Sequence, residues 1–208
     1  MAPSSRSNAR RRRREMLAYV FYHRPRAGVS RERYERALIR FHDAIARVPP
    51  PGFRGSAAFR LPHVTWGVRP DRPLYVDWYV LSAFADLDPV REVANRPPWV
   101  LWHRGVAALS GDGWGSLYAT PFPADAPSPP SVVAWFSSPP GRGRALVRRW
   151  NAEGPPHGVL WRRQLALGPS PEYCYIGRGA PPVALASPTA VLVPDYLPIP
   201  SPALAGSR

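Results

Sequence analysis

Apolar and aromatic residues along this chain gather into short runs that alternate with stretches of helical spacing, and one such arrangement occurs twice. Met16–His23, MLAYVFYH, is such a run, and within it Leu17–Tyr22 is apolar and aromatic on both faces, the pattern of a strand covered on both sides. Val132–Ser138, VVAWFSS, echoes it: FYHRPRAG aligns loosely with WFSSPPGRG, and GFRGSAAFRL with HGVLWRRQLAL. After the first run and its loop, Arg24–Gly28, Ser30 is placed to cap a helix, with Glu32 in the first turn where the helix dipole favours a carboxylate. Tyr34, Leu38, Phe41, Ile45 and Val48 then recur at steps of four and three, a single apolar stripe, with Arg36, Arg40, Asp43 and Arg47 lying away from it. Pro49–Gly52, PPPG, stops this helix because proline cannot continue it.

Phe53–Trp66 reads as a second strand, Gly67–Pro73 as a hairpin-type loop and Leu74–Phe84, LYVDWYVLSAF, as the strongest strand of the chain. Asp86–Asn95 predicts a short helix broken by Pro97-Pro98, and Trp99–Leu109 a second helical piece. Ser110–Gly113 predicts a turn, and Trp114–Phe122 a closing strand. The order β-α-β-β-α-β over residues 16–122 is that of the ferredoxin-like split βαβ unit. Residues 123–131, PADAPSPPS, form a linker by composition, and residues 132–179 restart the order. This second unit has a strand at Val132–Ser137, a helix at Ala145–Ala152 and strands at Gly158–Leu167 and Tyr173–Gly177, without a clear second helix. Residues 1–15 are a basic arm, expected to be disordered. Residues 180–208 are a Pro-rich extension in which Ala190–Val193 is a candidate edge strand and the rest reads as extended tail.

The tyrosine- and phenylalanine-rich first strand, its loop, the arginine-rich amphipathic helix and the long aromatic third strand give this layout a resemblance to the dimeric α+β-barrel superfamily. That group includes small antibiotic-biosynthesis monooxygenases, EthD-like proteins, stress-responsive barrel proteins and haem-degrading monooxygenases. The resemblance covers residues 16–122 well and 132–179 loosely, and it is one of fold. It implies an α+β fold of tandem ferredoxin-like repeats, the second abbreviated, whose sheets meet as a pseudo-dimeric α+β barrel in one chain. It also implies a ligand cavity between sheet and helices. It implies no particular reaction, because this fold hosts many, and no catalytic constellation is carried over from it.

Composition narrows the chemistry. The formal net charge is +14, with no lysine, so all 28 basic residues are arginine. Two readings stand beside each other: the arginine usage of a GC-rich genome, and a surface that draws polyanions. Residues 1–15 hold six Arg and one Glu, and the remainder, 22 Arg against 13 acids, is still basic at +9. The absence of lysine excludes Schiff-base chemistry and a P-loop lysine. The single Cys174 excludes an intramolecular disulfide and a thiolate metal cluster, and its alternating run reads it as a buried structural thiol. Arg10–Arg14 before MLAYVFY mimics a signal peptide, but the apolar run is seven residues long and lacks a small-residue cleavage site. No run approaches the roughly 20 apolar residues of a membrane span. The expectation is a soluble, cytoplasmic protein, with Met16 as a second possible start of translation.

The five histidines, His23, His42, His63, His103 and His157, show no metal spacing, so no metal site is expected. His42, beside Leu38 and Ile45, is either a satisfied boundary histidine or a general base facing a sheet–helix cavity. His23 and His63 close the first and second strands, where scaffolds present functional groups. His23 is the other acid–base candidate, and His63 a ligand contact. His103, in WVLWHRG beside Trp102, is placed to contact a ligand if its segment covers a cavity, as acid–base group or as haem ligand. No other cofactor is suggested.

By alternation Tyr75, Asp77 and Tyr79 share one face of the third strand and Trp78 the other. Tyr75, Trp78 and Tyr79 are either core or the walls of an aromatic-lined pocket. Asp77 needs a partner, for which Arg60 on the neighbouring strand is a candidate. Gly141-Arg142-Gly143 precedes a helix but has Leu146 where a dinucleotide fingerprint needs its third glycine. Arg142, Arg144 and Arg148 remain candidate anion ligands, beside the plainer reading of a solvated arginine face.

Together these point to a small-molecule protein of monooxygenase or cyclase type acting on an aromatic or polycyclic ligand. A non-enzymatic ligand- or partner-binding barrel is the alternative. Nucleic-acid binding through Arg10–Arg14 and the 142–149 patch is a third reading, unsupported by any recognised motif.

Overall fold

Leu74–Leu81 is buried at every position, so this strand must be covered on both faces, and the rest of the fold supplies the cover. The computed structural model describes residues 15–61, 64, 66, 73–137, 142–153, 158–179, 190–192 and 194–199. The first unit contains β1 (Met16–Pro25), α1 (Arg31–Arg47), β2 (Phe53–Leu61), β3 (Leu74–Leu81), α2 (Leu87–Glu92), α3 (Val100–Ala107) and β4 (Ser110–Thr120). The second contains β5 (Val132–Phe136), α4 (Gly143–Glu153), β6 (Gly158–Ala166), β7 (Tyr173–Gly177) and β8 (Ala190–Leu192), and β9 (Asp195–Tyr196) is the last element among the described residues.

Local chemistry accounts for the helix bounds. The Ser30 hydroxyl accepts from the Arg33 N–H at 3.3 Å, Glu32 lies in the first turn, and the Val48 N–H closes the helix on Ala44 O. Two expectations need correction. The second strand stops at Leu61, short of Trp66, and Ser110–Gly113 is not a turn but the first four residues of β4, paired with the end of β1. The glycines there serve close packing: a Cβ on Gly113 would come within 2.7 Å of the Phe21 ring.

All pairings are antiparallel, and the sheet order is β8-β5-β7-β6-β4-β1-β3-β2-β9. The first unit contributes β4-β1-β3-β2. The second contributes β8-β5-β7-β6, the same order of first, second, third and fourth strands, joined to the first through β6 and β4. The stretch at Ala190–Leu192 is the edge strand expected there, and β9 adds a pairing on β2 inside what reads as extended tail.

The sheet curls into a barrel. Six strand spacings separate β5 from β2, about 29 Å in a flat sheet. Yet the rings of Trp135 on β5 and Phe59 on β2 lie 6.4 Å apart, and Tyr196 on β9 reaches Ser131 O, just before β5, at 3.5 Å. Only two residues join β8 at one end of the order to β9 at the other, a link of at most about 11 Å. The interior is packed by Val20, Tyr22, Phe59, Val76, Trp78, Trp135, Trp161 and Cys174 from both units. Two further clusters lie outside: α1 covers the β1–β3 face through Tyr34, Leu38, Phe41 and Ile45, α3 adds Val106, and Trp150 of α4 packs against Tyr175. The architecture is an α+β barrel made of ferredoxin-like units.

Candidate acid–base site

The candidate site lies on the outer face of the barrel wall, under α1. Strand alternation turns Tyr19, Phe21 and His23 of β1 and Tyr75, Asp77 and Tyr79 of β3 to this face, in register as Tyr19 opposite Tyr79, Phe21 opposite Asp77 and His23 opposite Tyr75. Two turns of α1 separate Tyr34 from His42, so both face the sheet, and both are fully buried. Asp77 is the centre: its Oδ1 lies 3.2 Å from His23 Nε2 and 3.3 Å from His42 Nε2, and the Tyr79 hydroxyl donates to Oδ2 at 3.1 Å. Neither Nε2 is aligned with Oδ1 as a directed hydrogen bond. The carboxylate oxygen sits between the two rings at ion-pair distance, shared rather than committed to one.

The far nitrogens meet hydroxyls. His23 Nδ1 is 2.6 Å from the Tyr34 hydroxyl, which is 2.9 Å from Ser110 Oγ, and His42 Nδ1 is 2.8 Å from Ser56 Oγ. Ring stacking fixes the planes: His23 lies at 14° to Tyr75 and His42 at 3° to Tyr79. Burial pushes the Asp77 carboxyl upward, but the adjacent His23 and then His42 outweigh it, and the net effect holds Asp77 well below the usual carboxylate range. Burial, reinforced by the Asp77 charge, raises the Tyr79 and Tyr19 phenols. Asp77 is therefore an ionised carboxylate at neutral pH, surrounded by neutral phenols.

A cavity of about 510 Å³ opens onto this cluster. Its walls are mostly apolar, with Tyr19, Phe21, Phe41, Tyr79, Val93 and Val106 prominent, and its roof is α2 and α3. His23 and Asp77 reach it; His42 does not line it. His103 lines it from α3, where burial lowers its pKa against the opposing pull of Asp77, so it is neutral at pH 7. Ser110 and Asp112 complete the β4 side.

The candidate residues thus fall in different places. His23, His42, Tyr75 and Tyr79 come together around Asp77, and His103 faces them across the cavity. Trp78 points into the barrel, packed on Tyr118 and Trp161, so it is not part of this site. Trp102 lies outside it too, 45% exposed beside a smaller cavity of about 360 Å³ with Arg40 and Arg47. Arg60 does not partner Asp77: register sets Ala58 opposite Asp77 and Arg60 opposite Tyr75, and on its other side Arg60 stands opposite Asp195 of β9, with which it pairs. Arg142, Arg144 and Arg148 are exposed at the start of α4. His63 and His157 lie outside the described residues. Among the described residues no group of three or more His, Cys, Asp or Glu has the arrangement of a metal site. Cys174 is buried inside the barrel, where burial raises its thiol pKa. Tyr34, Ser56 and Ser110 are site residues that no motif announces. Only the shared helix face of Tyr34 and His42 hints at one of them.

No protein-family model matches the chain, and no curated protein sequence matches it significantly. Solved structures do. A proposed monooxygenase from Fusobacterium nucleatum subsp. nucleatum superposes with TM-score 0.54 at 9% identity, over 79% of this chain and 75% of that one. An anthrone oxidase-like protein gives TM-score 0.46 at 12% identity, over 81% and 75%. A dimeric ferredoxin-like protein from Bacteroides fragilis gives 0.37 at 13%, over 50% and 94%. The first of these supports the same ferredoxin-like barrel fold, and at 9% identity it shows the fold alone. Among the described residues no helix is long and apolar enough to cross a membrane.

Proposed function

We propose that this protein binds a planar, largely apolar small molecule in the cavity between sheet and helices and removes a proton from it. The observation that carries the reading is the ionised Asp77 shared by two imidazoles, with His23 opening onto an apolar, aromatic-walled space of about 510 Å³. An imidazole oriented by a buried carboxylate is a general base matched to neutral pH. Aromatic walls bind planar rings, and an apolar enclosure strengthens charge interactions with whatever anion forms. His23 is the group that meets the ligand, and His103 is the second polar group across the cavity.

Deprotonation of a phenol or of a CH₂ activated by a neighbouring carbonyl gives an electron-rich carbon. Where such a carbanion is oxidised by dioxygen, the CH₂ becomes a carbonyl and the second oxygen atom leaves as water, a four-electron monooxygenase outcome that draws all its oxidising equivalents from O₂. Titrating the protein with planar phenols and following the quench of its aromatic fluorescence tests the binding step. His23→Ala is expected to weaken binding of ionisable ligands at least tenfold while circular dichroism is unchanged. Equal affinity in the variant would remove His23 from the site.

A further inference from the structure

Both imidazoles of the site are built the same way at their two edges. Each Nε2 faces Asp77 Oδ1, and each Nδ1 faces a hydroxyl, Tyr34 at 2.6 Å for His23 and Ser56 at 2.8 Å for His42. A hydroxyl donates to a bare ring nitrogen and accepts from a protonated one. Neither ring is therefore locked into one charge state, as it would be against a carbonyl. On the His23 side the freedom extends further, because Ser110 Oγ lies 2.9 Å from the Tyr34 hydroxyl and 3.1 Å from Val106 O. With His23 neutral, Ser110 donates to Tyr34 and Tyr34 to His23. With His23 protonated, the order reverses and Ser110 donates to Val106 O, which also accepts the Leu109 N–H at 2.9 Å and is satisfied either way.

Access differs between the rings. His23 lines the cavity, whereas His42 is fully buried behind Asp77 and does not. One carboxylate neutralises one imidazolium, and burial penalises any further net charge. The uncharged arrangement of the cluster holds one excess proton between two rings, which leaves one ring vacant. The other groups facing the cluster do not compete. Burial raises the phenols of Tyr19, Tyr34, Tyr75 and Tyr79 and lowers His103, while Arg91 at the cavity edge pairs with Asp88, and Asp112 lies 3.9 Å from Arg24.

We propose that His42 supplies the vacancy that lets this site bind its ligand as an anion and keep the ligand's proton inside the protein. The ligand's O–H or acidic C–H bond breaks and an N–H bond forms on His23, which is vacant because the resident excess proton stands on His42 across Asp77; the two imidazolium charges are then balanced by Asp77 and the ligand anion. His42 is a positioning residue, since it acts through Asp77 and does not reach the cavity. Without it, His23 and Asp77 form an already filled pair with no place for a proton. The inference rests on the cavity-and-base reading above.

The test uses the full chain and 7-hydroxycoumarin, a planar phenol whose acid and anion absorb differently, at a pH below its solution pKa. Bound probe should show the anion spectrum, and calorimetry in two buffers of different ionisation enthalpy should show no proton released. His42→Gln keeps a hydrogen-bonding side chain but removes the second ring. It should lower the ratio of bound anion to bound neutral phenol at least tenfold, about one pKa unit, or expel the proton into the buffer. Wild-type protein that binds the neutral phenol, or that binds the anion and releases the proton, overturns the inference while leaving the cavity reading intact. So does a His42→Gln protein that matches wild type in both readouts. Absence of binding by wild type overturns the cavity reading and the inference with it. If His42→Gln does not fold, the two wild-type measurements still decide the question.

Discussion

A carboxylate on a strand buried along both faces costs several kcal/mol unless opposite charge and hydrogen bonds compensate it. At Asp77 the compensation is two histidines and the Tyr79 hydroxyl, and the result is a carboxyl whose pKa is held down in the folded state. A depressed pKa means that the unfolded chain binds more protons, so stability rises with pH through the window between the folded value and the unfolded value of about 3.9. Asp77 accordingly contributes stability above that window and loses it as pH falls through the folded pKa. Asp77→Asn should flatten this acid limb, measured as the urea-unfolding free energy between acid and neutral pH; an unchanged slope would show that the ion pairs do not form in solution. At this scale, chemistry was partly readable in advance. His23 and His42 stand out as strand-end and helix-border histidines, and Asp77 as a buried carboxylate in need of a partner. That the partners are those two histidines, and not Arg60, follows from register and from the crossing of α1 over the sheet, neither of which is local in sequence.

Elements follow from periodicity where one face decides them. The apolar stripe of α1, its Ser30 cap and the fully buried, β-branched and aromatic run of β3 determine their own conformations. The Gly-rich start of β4 does not, because glycine signals a turn and a tightly packed strand alike, and only the neighbouring Phe21 ring distinguishes them. Gly52 shows a glycine held by geometry. It turns the chain from α1 into β2 at φ +74°, and a Cβ there would fall 1.9 Å from Asp86 Cγ. Its carbonyl accepts from the Ser82 N–H at 2.9 Å. Gly52→Ala should therefore cost about 2–4 kcal/mol, from the left-handed backbone and the overlap together. Because Asp86 directly precedes α2 in the cavity roof, the same variant should weaken binding of planar phenols. Denaturation midpoint and fluorescence titration check the two effects separately, and a loss of stability without a loss of affinity would place the roof beyond the reach of this turn.

At the scale of the whole molecule, the repeat is what the sequence announces and closure is what it conceals. Two apolar runs with similar sequels are enough to predict two units, and Ala190–Val193 reads as an edge strand, but nothing in the Pro-rich terminus marks β9 or the pairing of the two strands with opposite ends of one sheet. Yet these strands join the ends of the barrel: β8 completes the second unit against β5, and β9 crosses to β2, where Tyr196 packs on Phe59 at 5.3 Å and Asp195 pairs with Arg60. A chain ended after Gly179 keeps every residue of the acid–base cluster but loses both strands, leaving β2 and β5 as unpaired edges. Exposed edges pair with other chains, and the interior beside them, with Phe59 and Trp135, would open to water. The shortened chain should self-associate in sedimentation velocity at concentrations where the full chain does not, and the β2 and β5 amides should exchange hydrogen fastest. The cavity lies on the outer face of β1 and β3, one strand in from the opened edge, so phenol binding should fall less than stability does. A shortened chain with the full chain's association state and amide protection would mean that the sheet closes through β5 and β2 without these strands, and that the terminus only decorates the barrel.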